Sequence, residues 1–419
     1  MKHYSWMAVS ALLLGFMMLN LTSCSKDEEN GGTTPTEKEK GGKDDDKPVV
    51  VPDVVVTVDD SGQADGGHRF QRIDDTSFYI DDIKYTAEQG DLVVSGYDQA
   101  FFQGAAVIIS TLKYRGHTMN VTSIKDGAFE KCTVMTSVTI PSSVTSIGRF
   151  AFYGCSGLTS VHISDLAAWC TIVFPDYASN PLSSAHHLFL NQKEITNLII
   201  PDGVTAIQDN TFHGCSGLTS VTIPSSVTSI GIETFSGCSG LTSVTIPGSL
   251  TSIGEVAFYG CSGLTSVTIP NSVKSIGGAA FAYCSGLTSI MVEKDNSQYD
   301  SRDNCNAIIE TASNKLIAGC KNTTIPGSVT SIGNEAFSGC SGLTSVTIPG
   351  SMMGFGWYAF YGCSGLQHVY CLAVNPPSAG NSLFDETPIS SATLHVPAES
   401  LDAYKATSPW SEFGSIVAL

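Results

Sequence analysis

The sequence predicts a mainly β solenoid, a right-handed coil in which the short strands of successive repeat units stack on one another. Cysteines recur in steps of 23 residues, at Cys132 and Cys155, at Cys215, Cys238, Cys261 and Cys284, and at Cys340 and Cys363. A phenylalanine stands three positions before each of them, at Phe129, Phe152, Phe212, Phe235, Phe258, Phe281, Phe337 and Phe360. A fixed period of this length indicates a repeat architecture, in which each unit contacts only its neighbours.

Each unit begins with a predicted strand, for which residues 218–231 serve as the example. Val221 and Ile223 alternate with Thr222, which is the period-2 pattern of a strand with one buried face. Pro224 has no N–H to donate to a neighbouring strand, so the strand is expected to end there.

A second apolar segment completes the unit. Val227 and Ile230 are expected to point inward, Gly231 allows the chain to turn, and Phe235 and Cys238 complete the inward set. Burying one such side chain contributes roughly 1.5–3 kcal/mol, whereas ordering each backbone residue costs about 1–2 kcal/mol. Because a single unit cannot offset that cost, the units must stack, with strands about 4.8 Å apart.

The full unit has the pattern Leu-Thr-Ser-Val-Thr-Ile-Pro-Ser-Ser-Val-Thr-Ser-Ile-Gly-x-x-x-Phe-x-x-Cys. Its first six residues fit the leading part of the leucine-rich repeat, but Ser226 stands where Asn or Cys is usual. The longer pattern resembles the BspA-like leucine-rich repeat family, and the chain is similar to surface lipoproteins of that family of the Bacteroidetes type. The resemblance covers about residues 120–370. It is specific for the architecture but not for the ligand, because members of the family share the scaffold and present different surfaces.

Two interruptions lengthen the array, between Cys155 and Cys215 and between Cys284 and Cys340. Apolar segments within both indicate variant coils, the first with an added hairpin or short helix. Such coils often carry a binding surface, and an extended structural coil is the alternative. The predicted organisation is a signal peptide (1–24), an acidic tether (25–54), an N-terminal β cap (55–119), a solenoid (120–370) with variant coils at 164–194 and 292–322, and a C-terminal cap (371–419).

Both caps follow from the exposed apolar faces and strand edges that a solenoid leaves at its ends. Strand-like runs at 77–85 and 92–95 predict the β cap at the N-terminal end. At the C-terminal end the sequence predicts a strand at 392–397, a short helix at 399–407, and Trp410 and Phe413 packed on the final coil.

The first residues predict export and lipidation. Lys2 and His3 precede an apolar run over 6–21, which is shorter than a membrane-spanning helix and ends at Ser23-Cys24. Cys24 is therefore the expected lipidation site, and the alternative is an ordinary secretory signal. The acidic run 25–29 resembles the export signal of Bacteroidetes surface lipoproteins, which implies the outer face of the outer membrane; the alternative is a solvated linker.

The composition excludes nucleic acid as a partner. The formal net charge is −18 and charged residues make up 14% of the chain, so no basic face is expected to neutralise phosphates. Anionic glycans are disfavoured for the same reason. The lipid anchor is the only membrane contact expected.

No residue pattern supports catalysis, and we expect neither an enzyme nor a cofactor. The repeated cysteines are predicted to be buried free thiols rather than metal ligands, because single-file spacing cannot form a tetrahedral site. A disulfide remains open among the cysteines outside the repeat pattern, at Cys170, Cys305, Cys320 and Cys371. His186, His187 and His213 lack carboxylates at triad or ligand spacing, so we expect surface histidines.

Two outward rows are the candidate binding residues. One row lies on the strands, where Thr222, Thr245, Thr268 and Thr347 are expected to form a hydroxyl ladder, with His162 at the equivalent place. The other follows the core phenylalanines and consists of Tyr153, Tyr259 and Tyr361, with His213. Tyr is favoured at interfaces because it combines contact area with a polar tip. The alternative explanations are that Thr suits a wet strand face and that Tyr packs a sheet edge.

The function that we expect is non-catalytic binding or adhesion at the cell surface. The resemblance implies host matrix proteins or bacterial surface proteins or glycans as partners, held by many weak contacts along a repeated surface. The alternatives are a glycan-capturing accessory lipoprotein of a nutrient-uptake system and a passive surface spacer.

Overall fold

In the computed structural model, which describes residues 52–419, short strands account for most of the regular structure. The predicted signal peptide, Cys24 and the tether up to residue 51 lie outside the described residues. Residues 52–54 join the folded unit, where Asp53 accepts hydrogen bonds from the Ser142 and Ser164 side chains.

The N-terminal part is a mixed sheet built from local hairpins and strands that return to it. Its strands β1 to β8 are Val55–Val58, Phe70–Arg72, Ser77–Ile80, Ile83–Glu88, Asp91–Tyr97, Gly104–Val107, Thr111–Tyr114 and His117–Ile124, of which β6 joins the next sheet. The predicted run 77–85 is not one strand, because Asp81 and Asp82 adopt positive φ values of 48° and 67° and turn the chain into the β3–β4 hairpin.

Beyond β8 each regular unit contributes a longer first strand and a two-residue second strand. The strands β9 to β22 are Met135–Ile140, Ser146–Ile147, Ser160–Ile163, Leu188–Leu190, Lys193–Glu194, Asn197–Ile199, Ala206–Ile207, Ser220–Thr222, Ser229–Ile230, Ser243–Thr245, Ser252–Ile253, Ser266–Ile269, Ser275–Ile276 and Ser289–Val292. The remaining strands β23 to β31 are Tyr299–Asp300, Ala307–Glu310, Lys315–Gly319, Ser331–Ile332, Ser345–Ile348, Gly354–Phe355, His368–Cys371, Thr393–Val396 and Ser415–Ala418.

Equivalent strands of neighbouring units pair in parallel with a register of 23 residues. In the first strands Val221 pairs with Val244, and in the second strands Ile230 pairs with Ile253. The second strands β15, β17, β19 and β21 form one continuous sheet, whereas the first strands divide between β18 and β20 into separate sheets. The predicted mainly β solenoid is thereby confirmed.

Short helices occur in the first variant coil and near the C-terminus. The α-helices α1 to α3 are Leu166–Thr171, Leu182–Ala185 and Leu401–Lys405, and single 3₁₀ turns occupy Tyr177–Ser179, Arg302–Asn304, Ile389–Ser391, Ala398–Ser400 and Trp410–Glu412. The first variant coil also contains the β12–β13 hairpin, and the second consists of the antiparallel strands β23, β24 and β25. Trp410 and Phe413 are buried, beside the strands that end the chain.

The core is a column of stacked phenylalanines, one from each repeat unit. Phe212, Phe235, Phe258 and Phe281 stack with ring centroids 5.4 Å apart, and Phe337 and Phe360 continue the column at 4.9 Å. The variant coils interrupt this column. Near the second, Gly319 of β25 lies so close to the Phe337 ring that a side chain at this position would overlap it.

Candidate functional site

The threonines predicted for binding lie on the exposed side of the first strands, which we call the front face. Thr222 and Thr245 pair in register, but Thr268 and Thr347 belong to two other sheets. Within this row, the structure therefore pairs Thr222 directly with Thr245 on neighbouring strands of one sheet.

The threonine that precedes each first strand forms a regular series of hydrogen bonds from its hydroxyl to the main chain of the neighbouring unit. The Oγ1 atoms of Thr219, Thr242 and Thr288 donate to main-chain carbonyls exactly one repeat earlier, at 3.0, 2.9 and 3.0 Å. These hydrogen bonds connect neighbouring coils. The front-face threonines are exposed, so their hydroxyls are available to solvent.

Apolar and aromatic residues replace threonine at several front-face positions. Ile199 pairs with Thr222 and its side chain is 68% exposed, and Met291 pairs with Thr268 and is 56% exposed. Tyr370 pairs with Thr347 in the same way. Aligning the units on their repeat reveals these substitutions, which lie outside the predicted row of threonines and His162.

Two aromatic pairs also stand on the front face. His162 stacks on Phe189 with ring centroids 4.8 Å apart, and Tyr370 stacks on His395 at 4.3 Å with an interplanar angle of 14°. His368 contacts both members of the second pair. In each pair the rings cover one another's faces, so the pairs offer their edges and outer faces to a partner.

The tyrosines of the second predicted row are not equally placed. Tyr153 is 46% exposed and packs against Phe150. Tyr259 and Tyr361 are half-buried and are linked through Tyr283, which lies 4.9 Å from Tyr259 and 6.4 Å from Tyr361 between ring centroids. Tyr283 was missed because it stands one position later in its unit than the tyrosines of the row.

His213 is not the surface histidine that the sequence predicts, because its side chain is only 19% exposed and a carboxylate faces it. Its Nδ1 lies 3.1 Å from Ser183 Oγ, and its Nε2 lies 3.5 Å from Glu233 Oε2. His187 also has an acidic partner, since its Nδ1 lies 2.6 Å from Glu194 Oε1. Each carboxylate reaches its histidine through the fold of the chain and not at a triad or ligand spacing in the sequence, and His187 is exposed as the sequence predicts.

The Ser183, His213 and Glu233 side chains resemble a catalytic triad in composition, but the hydrogen-bond direction opposes that role. Ser183 Oγ donates its proton to the Tyr177 carbonyl oxygen at 2.5 Å. It must therefore accept from Nδ1–H of His213, so the ring nitrogen that faces the hydroxyl has no free lone pair with which to activate it. Burial, and to a lesser degree His186, lowers the pKa of His213 to about 4, which favours the neutral ring.

Glu233 is the other member of this half-buried pair. Burial is the main cause that raises the pKa of its carboxyl group, and Glu255, Asp209 and Asp176 raise it further. Burial therefore disfavours the charged form of both members, whose facing atoms, Glu233 Oε2 and His213 Nε2, lie 3.5 Å apart. Through Ser183, His213 and Glu233, these contacts connect the first variant coil to the repeat units that follow it.

The cysteines of residues 52–419 are free, buried thiols. In five of the repeat units Sγ donates to the phenylalanine carbonyl of the preceding unit at 3.1–3.2 Å, at Cys155, Cys238, Cys261, Cys284 and Cys363. Cys thus fills a small apolar site and also satisfies a carbonyl there, which alanine could not do. Within the same residues no group of three or more His, Cys, Asp or Glu side chains could hold a metal ion.

We expect these thiols to be unreactive in the native protein. Burial raises the pKa of Cys215 to about 12, so almost no reactive thiolate exists at pH 8. Titration with a thiol reagent should label the repeat cysteines of the folded protein at least about a hundredfold more slowly than those of urea-unfolded protein. Rapid labelling of folded protein, in a variant that carries Cys24→Ser, would contradict the buried assignment.

Within residues 52–419, no helix combines the length and the apolar character that crossing a bilayer requires.

Comparison with protein families gives a match to one family model, described as the BspA-type leucine-rich repeat region. Six copies of it match residues 108–174, 185–310 and 308–405, which together make up more than half of the chain. A search of curated proteins found no match.

Among solved structures, the chain is similar to a leucine-rich cell surface protein from Faecalibacterium prausnitzii A2-165. The two are 26% identical, the match covers 82% of this chain and 95% of that one, and the TM-score is 0.58. A leucine-rich repeat protein from Bacteroides ovatus ATCC 8483 is 24% identical over 81% of this chain and 99% of that one, with a TM-score of 0.34. The pneumococcal vaccine antigen PcpA is 16% identical over 84% and 99%, with a TM-score of 0.39.

Proposed function

We propose a function from the premise that this chain belongs to the family of BspA-type leucine-rich repeat proteins. In our proposal the chain is a cell-surface module that binds host or bacterial surface proteins without catalysing a reaction. The similar Faecalibacterium protein is described as a cell surface protein, which supports the location. The observation that carries the binding role is the exposed apolar and aromatic content of the front face.

Ile199 and Met291 provide the clearest part of that observation. A strand residue that faces water is usually polar, and most regular units have threonine at this position. Exposed apolar side chains on a paired, regular sheet form a rigid surface, so a partner that covers them loses little conformational entropy. A protein partner that buries these side chains would gain roughly 1.5–3 kcal/mol from each.

The double variant Ile199→Thr and Met291→Thr tests this role while restoring the residue that the repeat itself uses. We expect the protein without residues 1–51 to bind members of an array of host matrix and bacterial surface proteins. The double variant should bind those members about tenfold more weakly or worse, because the apolar contact is lost. Surface plasmon resonance on immobilised partners gives the dissociation constants.

The matched control is Val134→Thr, which removes an apolar side chain that is 51% exposed but lies outside the first strands. It should leave binding within about twofold of the unchanged protein, as expected for an isolated surface residue. If the control and the double variant lose binding affinity equally, the front face is not the binding surface. An unchanged protein that binds no array member would favour the spacer alternative.

Glycan capture is the second candidate, and the cluster of His368, Tyr370 and His395 favours it. Aromatic rings beside hydroxyl groups are suited to binding a sugar. Thr347 pairs with Tyr370 and Thr393 pairs with His368, so both hydroxyls lie beside the rings of the cluster. The stacking of Tyr370 on His395 hides one face of each ring, which weakens this candidate relative to protein binding. A neutral glycan array probed with Tyr370→Thr distinguishes the two, since only glycan capture predicts a loss of array signal.

We also propose that Cys24 carries a lipid that anchors the protein to the outer membrane, with the folded part outside the cell. The support is the sequence of residues 1–29. Cys24→Ser should move most of the protein from the membrane fraction to the soluble fraction, as measured by immunoblotting of fractionated cells. Protease treatment of intact cells should degrade the unchanged protein; retention of the variant in the membrane fraction would rule out this anchor.

A further inference from the structure

A strained tyrosine marks a second surface, on the turns that follow the core phenylalanines. The residue two positions after each core phenylalanine has a left-handed backbone in all eight units, and in six of them it is glycine. Tyr283, with φ 59°, and Lys131, with φ 56°, are the exceptions. A left-handed conformation costs a residue with a side chain about 1–2 kcal/mol, so glycine is the residue expected at this position.

The strain at Tyr283 positions its ring within a cluster of tyrosines. The turn of its unit pairs directly with the turn after the second variant coil, because Tyr283 N donates to Ser338 O at 2.8 Å. This pairing places Tyr283 next to Tyr259 of the preceding turn and one turn away from Tyr361, with the Ser338–Gly339 turn between them, although Cys284 and Cys340 are 56 positions apart in the sequence. Tyr358 packs edge-on against Tyr361 at 5.6 Å, and we call these four residues the tyrosine cluster.

Gly339 provides the space for the Tyr283 ring. A Cβ atom at Gly339 would overlap the ring and Cα of Tyr283, so the neighbouring unit accommodates the aromatic side chain only because it has glycine there. All four rings of the cluster are half-buried, which leaves part of each accessible to a partner. The cluster is therefore an ordered aromatic surface rather than a set of mobile side chains.

The surroundings of the cluster are acidic. Glu335 lies near Tyr259 and Tyr283, and Asp385 and Glu386 lie near Tyr361; after burial, their negative charges help to raise the pKa of these phenols. Burial, and then Glu255, in turn raises the pKa of the Glu335 carboxyl group. None of the ion pairs within residues 52–419 involves Glu335, Asp385 or Glu386. Aromatic faces and unpaired carboxylates both attract a cation.

We propose that the tyrosine cluster binds arginine or lysine side chains from a basic segment of a partner protein. The assignment rests on the proposed function and narrows its partner to a basic polypeptide. A cation that sits against a partly desolvated tyrosine gains about 0.5–2 kcal/mol, and the nearby carboxylates add to this attraction. A second copy of this chain is a poor occupant, because each copy carries a formal net charge of −18.

Tyr283→Gly tests the proposal without threatening the fold, because it restores the glycine found in six of the units. The probe is a fluorescent peptide of alternating glycine and arginine, titrated in fluorescence anisotropy against the protein without residues 1–51. We expect binding that Tyr283→Gly weakens about tenfold, while its melting temperature equals or exceeds that of the unchanged protein. A peptide with citrulline in place of arginine should not bind, since it keeps the shape but lacks the charge.

Two matched variants separate the cluster from general attraction to an acidic protein. Tyr79→Ala removes a half-buried tyrosine of β3, outside both predicted rows, and Glu399→Gln removes an exposed charge elsewhere. Both should bind the arginine peptide within about twofold of the unchanged protein, whereas Glu335→Gln should bind about fivefold more weakly. Equal losses in Glu335→Gln and Glu399→Gln, or unchanged binding by Tyr283→Gly, would overturn the proposal.

The array experiment described above keeps this proposal separate from the proposed function. Array binding that survives Tyr283→Gly, together with no binding of the arginine peptide, would leave the module intact and reject the cationic partner. Peptide binding that depends on Tyr283, without any array binding, would support the cluster and reject the partners named for the front face.

Discussion

Phe235→Ala is expected to lower the free energy of unfolding by about 3–5 kcal/mol. The ring is fully buried and stacks between Phe212 and Phe258 at 5.4 Å on each side, so its removal leaves a cavity in the middle of the column. The stacked neighbours cannot close this cavity, because their positions are set by strand pairing at a fixed register. Urea unfolding followed by circular dichroism measures the loss.

Phe150→Ala is the matched control for this substitution. The Phe150 side chain is 50% exposed and contacts Tyr153 on the surface, so its loss should change the free energy of unfolding by less than about 1 kcal/mol. Similar losses in the two variants would show that the phenylalanine column does not carry the stability of the repeat region.

Gly254→Ala should destabilise the protein by about 2–3 kcal/mol, although the substitution adds one methyl group. Gly254 does not have a positive φ, and its importance lies in the close approach of neighbouring coils. A Cβ there would come within 3.0 Å of main-chain atoms of Gly231 and Ile232, which are held in place by their own hydrogen bonds. The coils must move apart, which weakens the pairing on both sides.

Gly248→Ala provides the comparison, because it lies in the turn of the same unit and a Cβ there meets no atom within 4 Å. This substitution should leave the protein as stable or up to about 1 kcal/mol more stable, since alanine restricts the unfolded chain more than glycine does. Thermal unfolding of the two variants side by side gives the difference. Equal melting temperatures would mean that the coils are spaced more widely than the structure shows.

The fold could be predicted from the sequence because units that stack in register need the same residue types at the same positions, so the pattern recurs in every regular unit. The alternation at Val221 and Ile223, the stop at Pro224 and the inward Phe235 recur in each regular unit, and the structure confirms the strands and core that they predict. Family membership was predicted from the same pattern and is confirmed over residues 108–174 and 185–405.

The candidate sites were harder to predict because they depend on contacts between coils. Ser183, His213 and Glu233 are far apart in sequence but meet across neighbouring coils. Ile199 and Met291 are hard to assign for a different reason, since each lies in a continuous apolar run, where the period-2 alternation does not mark the outward face. Their register with Thr222 and Thr268 shows that they face outward.

Tyr283 combines both difficulties. Its position is occupied by glycine in six units, so a comparison of the units would have singled it out as an exception. Its contact with Tyr361, however, depends on how the second variant coil leaves the stack and returns to it. The 23-residue spacing does not predict the path of the second variant coil, because its residues form antiparallel strands of their own.

The 23-residue register also bears on how such a chain can change length over generations. Hydrogen bonds, the phenylalanine column and the thiol contacts of a regular unit all reach the equivalent atoms of an adjacent unit. Recombination between the nearly identical gene segments for 215–237 and 238–260 would add or delete one whole coil, and the new neighbours would meet the same surfaces as before. Each such event would shift the tyrosine cluster by about 4.8 Å relative to β1 while both remain intact.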